Sequence, residues 1–74
     1  MSKRFDHYSM YIQWDNVDRI YIVSVSELPG CKTHGDTLEE AIKNAQEVIE
    51  LWIEASEKGG QPIPAPRVLR AEAA

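Results

Sequence analysis

Three side chains with metal-binding or nucleophilic chemistry lie close together near the middle of the chain. Cys31 and His34 have the spacing of a zinc half-site, and Asp36 follows two residues later. A structural zinc ion needs four ligands, whereas the 74-residue chain has one cysteine and offers only His7 as a second imidazole. A Cys–His nucleophile also has no visible orienting group. We therefore expect no metal and no cofactor, and a structural or incidental role for this spacing.

Carboxylates are the second set of residues that could form a catalytic site, because metal-dependent nucleases and hydrolases hold Mg²⁺ with Asp or Glu side chains. Such a cradle needs carboxylates that project from strand centres. Outside the predicted helix and the C-terminal tail, they fall instead at predicted strand ends or in turns: Asp6, Asp15, Asp18, Glu27 and Asp36. The sequence therefore predicts a protein that is not an enzyme. A metal-dependent hydrolase remains an alternative that requires a divalent ion at Cys31, His34 and Asp36.

One long helix is the element that organises the chain. Apolar residues recur at the helical spacing i, i+3, i+4 and i+7, at Leu38, Ala41, Ile42, Ala45, Val48, Ile49 and Trp52. Asp36 or Thr37 is predicted to cap the first turn, and Thr37 with Glu40 fits a capping box. Lys58 falls in the last turn, Gly59 is expected to adopt the left-handed conformation, and Pro62 ends any continuation.

The opposite face of this helix is acidic. Six glutamates lie there against two lysines, and the predicted partner-facing strip comprises Glu40, Glu47, Glu50 and Glu54. Such a face serves either solubility or binding of a basic partner. Leu51 is the one large apolar residue away from the apolar stripe, and it is a candidate for a subunit contact.

Two strands precede the helix. The alternation from His7 to Trp14 predicts a strand with one buried face, and turn residues at 15–18 lead to a second strand, Arg19 to Val25. The second strand is apolar on both sides, and one helix covers only one of them. We therefore expect an association surface on the face away from the helix, comprising Tyr11, Tyr21, Val23 and Val25.

The remaining segments complete an α+β domain of order β-β-β-α-β, with an antiparallel sheet and the helix on one face. Pro29 and Gly30 suit the centre of a type II turn. Residues 31–34 are predicted to form a third strand, and 61–67, with alternate prolines, a fourth strand at the sheet edge. Residues 1–74 are treated as one domain, with a flexible start at 1–6 and a short tail at 68–74.

Size and charge limit the partners. A domain below about 80 residues seldom gains more than about 5 kcal/mol from its core, so a homo-oligomer, a dimer or tetramer, is expected. The net charge of −4 argues against direct nucleic acid binding, which needs clustered Lys and Arg. No apolar run reaches the length of a membrane helix and no signal-peptide core is present, so we expect a cytoplasmic protein without membrane contact.

A longer motif points to a family. The run Leu28 to Cys31, with Thr33, Gly35 to Thr37, Glu39 to Ala41, Asn44, Ala45, Glu47, Ile49 and Leu51, resembles the HicB antitoxin family. The similarity covers nearly the whole chain and matches the N-terminal HicB domain. Members commonly add a C-terminal DNA-binding domain, which is not expected in these 74 residues, so the resemblance does not extend to autorepression.

The resemblance implies a partial RNase H-like fold and the antitoxin of a type II toxin–antitoxin system. Such a protein neutralises a small, basic, HicA-like RNA-cleaving toxin by protein–protein binding, and an acidic antitoxin complements a basic toxin. The alternative is a free-standing, homo-oligomeric HicB-like binding or scaffold domain that has no toxin partner.

Overall fold

A computed structural model describes residues 7–69 of the chain as one sheet and one helix. The strands are Met10–Asp15 (β1), Ile20–Val25 (β2) and Lys32–Gly35 (β3), and the helix is Leu38–Lys58 (α1). The sheet has the order β1-β2-β3 and both strand pairs are antiparallel. The predicted α+β class is therefore confirmed. The predicted flexible start and most of the predicted tail lie outside the described residues. Residues 68 and 69 of the tail are exposed and belong to neither a helix nor a strand.

The β1–β2 hairpin is built by local turn chemistry. The Oδ1 atom of Asp15 accepts hydrogen bonds from the backbone N–H groups of Val17 and Asp18, at 2.9 and 3.2 Å. Arg19 closes the turn with a φ of 57°, a left-handed conformation that is uncommon for a residue other than glycine. The turn fixes a register in which Trp14 lies opposite Tyr21.

Both ends of α1 are capped. Thr37 is the N-cap, and its hydroxyl oxygen accepts a hydrogen bond from the Glu40 N–H at 3.1 Å, as the sequence indicates. The Glu40 carboxylate accepts from the Asp36 N–H at 2.6 Å. At the other end Gly59 stays right-handed and Gly60 takes the positive φ, 71°, so the left-handed residue is one position later than predicted. Within residues 7–69 no helix has the length and apolar character needed to cross a bilayer.

The core lies between α1 and the β2–β3 half of the sheet. The buried residues of the helix follow an i, i+4 series: Ala41, Ala45, Ile49 and Ile53. The first three belong to the predicted apolar stripe, and Ile53 does not. Leu38 and Ile42, expected on the buried stripe, are 50% and 38% exposed. Because four residues make slightly more than one helical turn, the buried face shifts around the helix along its length.

The face of β2 that the helix covers is the opposite of the one expected. Val23 and Val25 are 0% and 4% exposed, and Val23 packs against Ala41 and Ala45. The prediction that they form an open association surface is wrong, because both faces of β2 are apolar and alternation alone does not say which one the helix covers. The open face of the strand instead carries Ile20 and Ile22, both half-buried.

The segment after α1 is not a fourth strand. Residues 61–69 join no ladder, because Pro62, Pro64 and Pro66 remove alternate N–H donors. Three tertiary contacts fix the segment instead: the Tyr8 hydroxyl donates to the Pro64 carbonyl, Ile63 packs against the core, and the Arg67 N–H donates to Glu27.

Candidate protein-interaction surfaces

The residues with potential metal or nucleophile chemistry are not brought together. Cys31 is 4% exposed and packs in the core, where burial raises the pKa of its thiol. His34 is exposed and lies opposite Ile22, on the other face of the sheet, because an odd separation along a strand reverses the side-chain direction. Within residues 7–69 no three His, Cys, Asp or Glu side chains are arranged to hold a metal ion.

The outer face of α1 carries an apolar side chain among carboxylates. Leu51 is 64% exposed and lies with Glu47, Glu50 and Glu54 around a shallow concavity. We call these four residues the acidic face. The helix holds them on its solvent side because its opposite side is committed to the core. Glu40, the fourth predicted member of the strip, lies about two turns before Glu47, and its carboxylate is already bound in the helix cap.

The sheet supplies a second open surface, on the layer opposite the acidic face. Tyr11, 62% exposed, lies there on β1 next to exposed Gln13. Tyr21 is on the helix side, where its ring packs edge-on against Trp14 with 4.9 Å between centroids. Of the five predicted interface residues, the structure therefore exposes Tyr11 and Leu51, on different layers, and half-buries Tyr21.

The turn at Pro29 and Gly30 lies between β2 and β3 and contacts the helix through Trp52. Gly30 has a φ of 75°, and the Cys31 N–H donates to the Leu28 carbonyl at 3.0 Å, the geometry of a type II turn. The Trp52 indole N–H donates to the Pro29 carbonyl at 3.2 Å. The turn thereby fixes the C-terminal half of α1 and, with it, the position of the acidic face.

Sequence reasoning missed the role of Glu27, which is 5% exposed. Its carboxylate accepts hydrogen bonds from the Ser9 N–H and hydroxyl at 3.1 and 3.0 Å, from the Ser26 hydroxyl at 3.3 Å and from the Arg67 N–H at 2.8 Å. Burial by itself raises the pKa of Glu27, but hydrogen bonds from Arg67, its own backbone and Ser9 outweigh it and lower the pKa. The sequence signal that could have indicated this role is a carboxylate placed between two apolar residues, Val25 and Leu28.

Comparisons with known proteins agree on one family. A family model described as HicB-like antitoxin of a bacterial toxin–antitoxin system matches residues 8–74. A UPF0150 protein of Thermoplasma acidophilum is 42% identical over 57 residues, which are 77% of this chain and 81% of that protein. A UPF0150 protein of Synechocystis is 39% identical over 62 residues, 84% of this chain and 77% of that protein.

A phage relative matches a smaller share of its own length. An uncharacterized 14.9 kDa protein from the rep-hol intergenic region of Haemophilus phage HP1 is 42% identical over 50 residues. Those residues are 68% of this chain but 38% of the phage protein.

Proposed function

Because this chain belongs to the HicB-like antitoxin family, we propose that it is the antitoxin of a type II toxin–antitoxin pair and neutralises a HicA-like RNA-cleaving toxin by binding it. The acidic face is the observation that carries the proposal. It presents Glu47, Glu50 and Glu54 around Leu51 on a rigid helix. A protein that binds RNA needs a basic surface, so a toxin of this kind is the complementary partner.

The acidic face suits such a partner in two ways. Its carboxylates raise the rate of encounter with a basic protein and disfavour acidic competitors. Leu51, with most of its side chain exposed, supplies apolar area that a toxin buries at the centre of the contact, while the glutamates form a polar rim. Binding covers the RNA-contacting surface of the toxin and thereby stops cleavage without any catalytic step by the antitoxin.

A pair of matched variants tests the proposal. The double variant Leu51→Ser/Glu54→Lys removes one apolar contact and reverses one charge on the acidic face. The control Val17→Ser/Asp18→Lys makes the same chemical change on the β1–β2 hairpin, where Val17 is 89% exposed and Asp18 is also exposed. Neither pair touches the core, so both variants are expected to fold.

The assay is RNA cleavage by a candidate HicA-like toxin, taken from a gene that neighbours this one, titrated with each antitoxin variant. Wild-type protein and the hairpin control are expected to abolish cleavage near equimolar ratio. The variant of the acidic face is expected to bind at least about tenfold more weakly, or about 1.4 kcal/mol. Equal loss in both variants would contradict the role of the acidic face, and cleavage unaffected by wild-type protein would refute the antitoxin function.

The second candidate is a free-standing oligomeric binding domain without a toxin. The exposed Tyr11 and Gln13 on the open sheet layer favour it. It predicts a stable homo-oligomer and no effect on RNA cleavage, so the same titration, followed by light scattering, separates the two candidates.

A further inference from the structure

The helix covers only part of the sheet. α1 lies over β2, because Ala41 and Ala45 pack against Val23. It also lies over β3, where the Asn44 side-chain amide donates to the His34 carbonyl at 2.8 Å. A helix about 10 Å across covers about two strands spaced about 4.8 Å apart. In the sheet order β1-β2-β3, the helix-side surface of β1 therefore lies beside α1 rather than beneath it.

Two apolar side chains of α1 border this part of β1. Successive residues of a helix are about 100° apart, so Ile42 lies about 160° around α1 from Asn44, on the flank toward β1. Leu38, one turn earlier, lies on the same flank. Leu38 and Ile42 are 50% and 38% exposed, although both are large and apolar. They form an apolar wall beside the strand.

The strand supplies the floor below this wall. Ile12 lies opposite Val23 in the ladder, packs against the same core cluster and is half-buried. Trp14, two residues later, lies on the same face of the strand and is 45% exposed. The Arg19 guanidinium lies 5.9 Å from the centroid of the Trp14 ring, at the end toward the hairpin turn. We call this surface the apolar step: Ile12, Trp14, Leu38 and Ile42.

The acidic face alone is too small for a stable protein complex. A specific interface takes about 800 Å² and about 20–30 residues from each partner, whereas the acidic face consists of four residues. A toxin that binds there must therefore contact neighbouring surface as well. Ile42, Gln46 and Glu50 follow one another at intervals of one turn, so they connect the apolar step to the acidic face along α1.

We propose that the RNA-cleaving toxin binds across α1, with basic side chains on the acidic face and an apolar segment seated on the apolar step. This inference rests on the proposed function and adds a second surface to the contact. The step suits the buried part of an interface, because its side chains are apolar and include a tryptophan. Tryptophan is enriched among the residues that dominate binding energy.

Charge favours this flank of α1 over the opposite one. On the β3 side Lys32 is exposed, and its charge repels a basic partner. On the β1 side the exposed carboxylate of Glu39 adjoins Leu38 and attracts such a partner. Arg19 adds a positive charge only at the hairpin end, where it lies over an aromatic ring. A basic toxin that extends its contact beyond the acidic face is therefore directed to the step.

Removal of apolar area from the step tests this contact. Leu38→Ser/Ile42→Ser shortens both side chains of the wall. The helix is retained, because Leu38 is its first residue and isoleucine and serine have similar helix propensities. The control Val17→Ser/Val68→Ser removes two aliphatic side chains outside both surfaces, which are 89% and 58% exposed. Urea unfolding checks that both variants fold.

Titration against a candidate HicA-like toxin gives the dissociation constant of each full chain. Wild-type protein and the control variant are expected to bind the toxin equally well. The variant of the apolar step is expected to bind at least about tenfold more weakly, because the toxin loses apolar contact area.

Maleimide labelling followed by mass spectrometry locates the contact directly. The introduced thiol of Leu38→Cys is expected to react in the free protein and to be protected in the complex, as is that of Leu51→Cys on the acidic face. The thiol of Val68→Cys is expected to react in both states. The native Cys31 is 4% exposed and serves as the unreactive reference.

Two results would overturn the inference and leave the antitoxin function intact. One is a complex that protects the thiol of Leu51→Cys while that of Leu38→Cys stays as reactive as in the free protein. The other is equal toxin affinity of the step variant and its control. A wild-type protein that neither binds the toxin nor stops cleavage refutes the proposed function and this inference together.

Discussion

Replacement of Glu27 by glutamine is expected to destabilise the fold more than any exposed charge change. The carboxylate is 5% exposed and accepts from the Ser9 and Arg67 backbone N–H groups and from two serine hydroxyls, so it ties β1, the end of β2 and the C-terminal segment together. Glutamine has the same shape but turns an NH₂ donor toward groups that are themselves donors.

The expected magnitude follows from those bonds. A hydrogen bond to a charged group contributes about 1.5–3 kcal/mol, and a buried donor left unpaired costs about 1–3 kcal/mol. Because the remaining amide oxygen keeps part of the network, we expect a loss of about 2 kcal/mol in the free energy of unfolding. In a domain of this size that loss lowers the melting temperature by roughly 8–16 °C.

The dependence on pH gives a second signature. The pKa of Glu27 is lowered in the folded protein, since its hydrogen bonds outweigh the effect of burial. Its contribution to stability is therefore fully present above about 4.3, the usual value for an unfolded-state glutamate, and is lost as the pH falls through the folded pKa. The difference between wild type and Glu27→Gln should be constant from neutral pH to about 5 and shrink below about 4.

Urea unfolding followed by tryptophan fluorescence measures both effects. Glu47→Gln is the matched control, because it makes the same change on an exposed side chain of the acidic face. If Glu27→Gln loses no more stability than Glu47→Gln, or if the loss is unchanged at low pH, the assignment of Glu27 as a structural clamp is wrong.

Three further predictions concern local packing and reactivity. Gly35→Ala should lower the free energy of unfolding by about 2 kcal/mol or more, because the added Cβ would contact the Ala41 nitrogen and lie 2.7 Å from the Ala41 Cα. Gly59→Ala should be tolerated, because its added Cβ meets nothing nearer than 3.5 Å. Urea unfolding compares the two variants. Thr37→Ala should lose about 1 kcal/mol in the same assay, with Thr37→Ser as the control that keeps the cap. Cys31 should react with a maleimide at neutral pH only in denaturant, as followed by mass spectrometry, because it is 4% exposed and burial raises its pKa; rapid labelling of the native protein would contradict its burial.

The helix was predictable because its signals are local. Each signal lies within or next to the helix itself: the apolar periodicity, the N-cap Thr37 and the glycines after Lys58. The structure begins α1 directly after Thr37 and ends it at Lys58. The hairpin was predictable for the same reason, although β1 begins at Met10 rather than at His7.

The orientation of the sheet and the clamp were not predictable from local signals. Val23 and Ile22 are equally apolar, so the sequence does not specify which of them faces the helix, and the assignment of Val23 to an open surface was wrong. Glu27 and Arg67 are 40 residues apart, so nothing in either local pattern indicates that they meet.

Pro62 to Pro66 show a third limit. Their alternation reads as an edge strand, yet the missing N–H donors leave the segment to be fixed by side chains such as Tyr8 and Ile63. The exposure of Leu51 and Glu54 was predictable because it follows from helical periodicity. The exposure of the strand residues was not, because it depends on which face of the sheet the helix covers.

The most direct test of the account is RNA cleavage by a candidate HicA-like toxin in the presence of equimolar wild-type protein, of Leu51→Ser/Glu54→Lys and of Val17→Ser/Asp18→Lys. The account predicts that the wild-type protein and the hairpin control silence cleavage and that the variant of the acidic face does so only at about tenfold higher concentration or more. Cleavage that continues unchanged with the wild-type protein would contradict the antitoxin function.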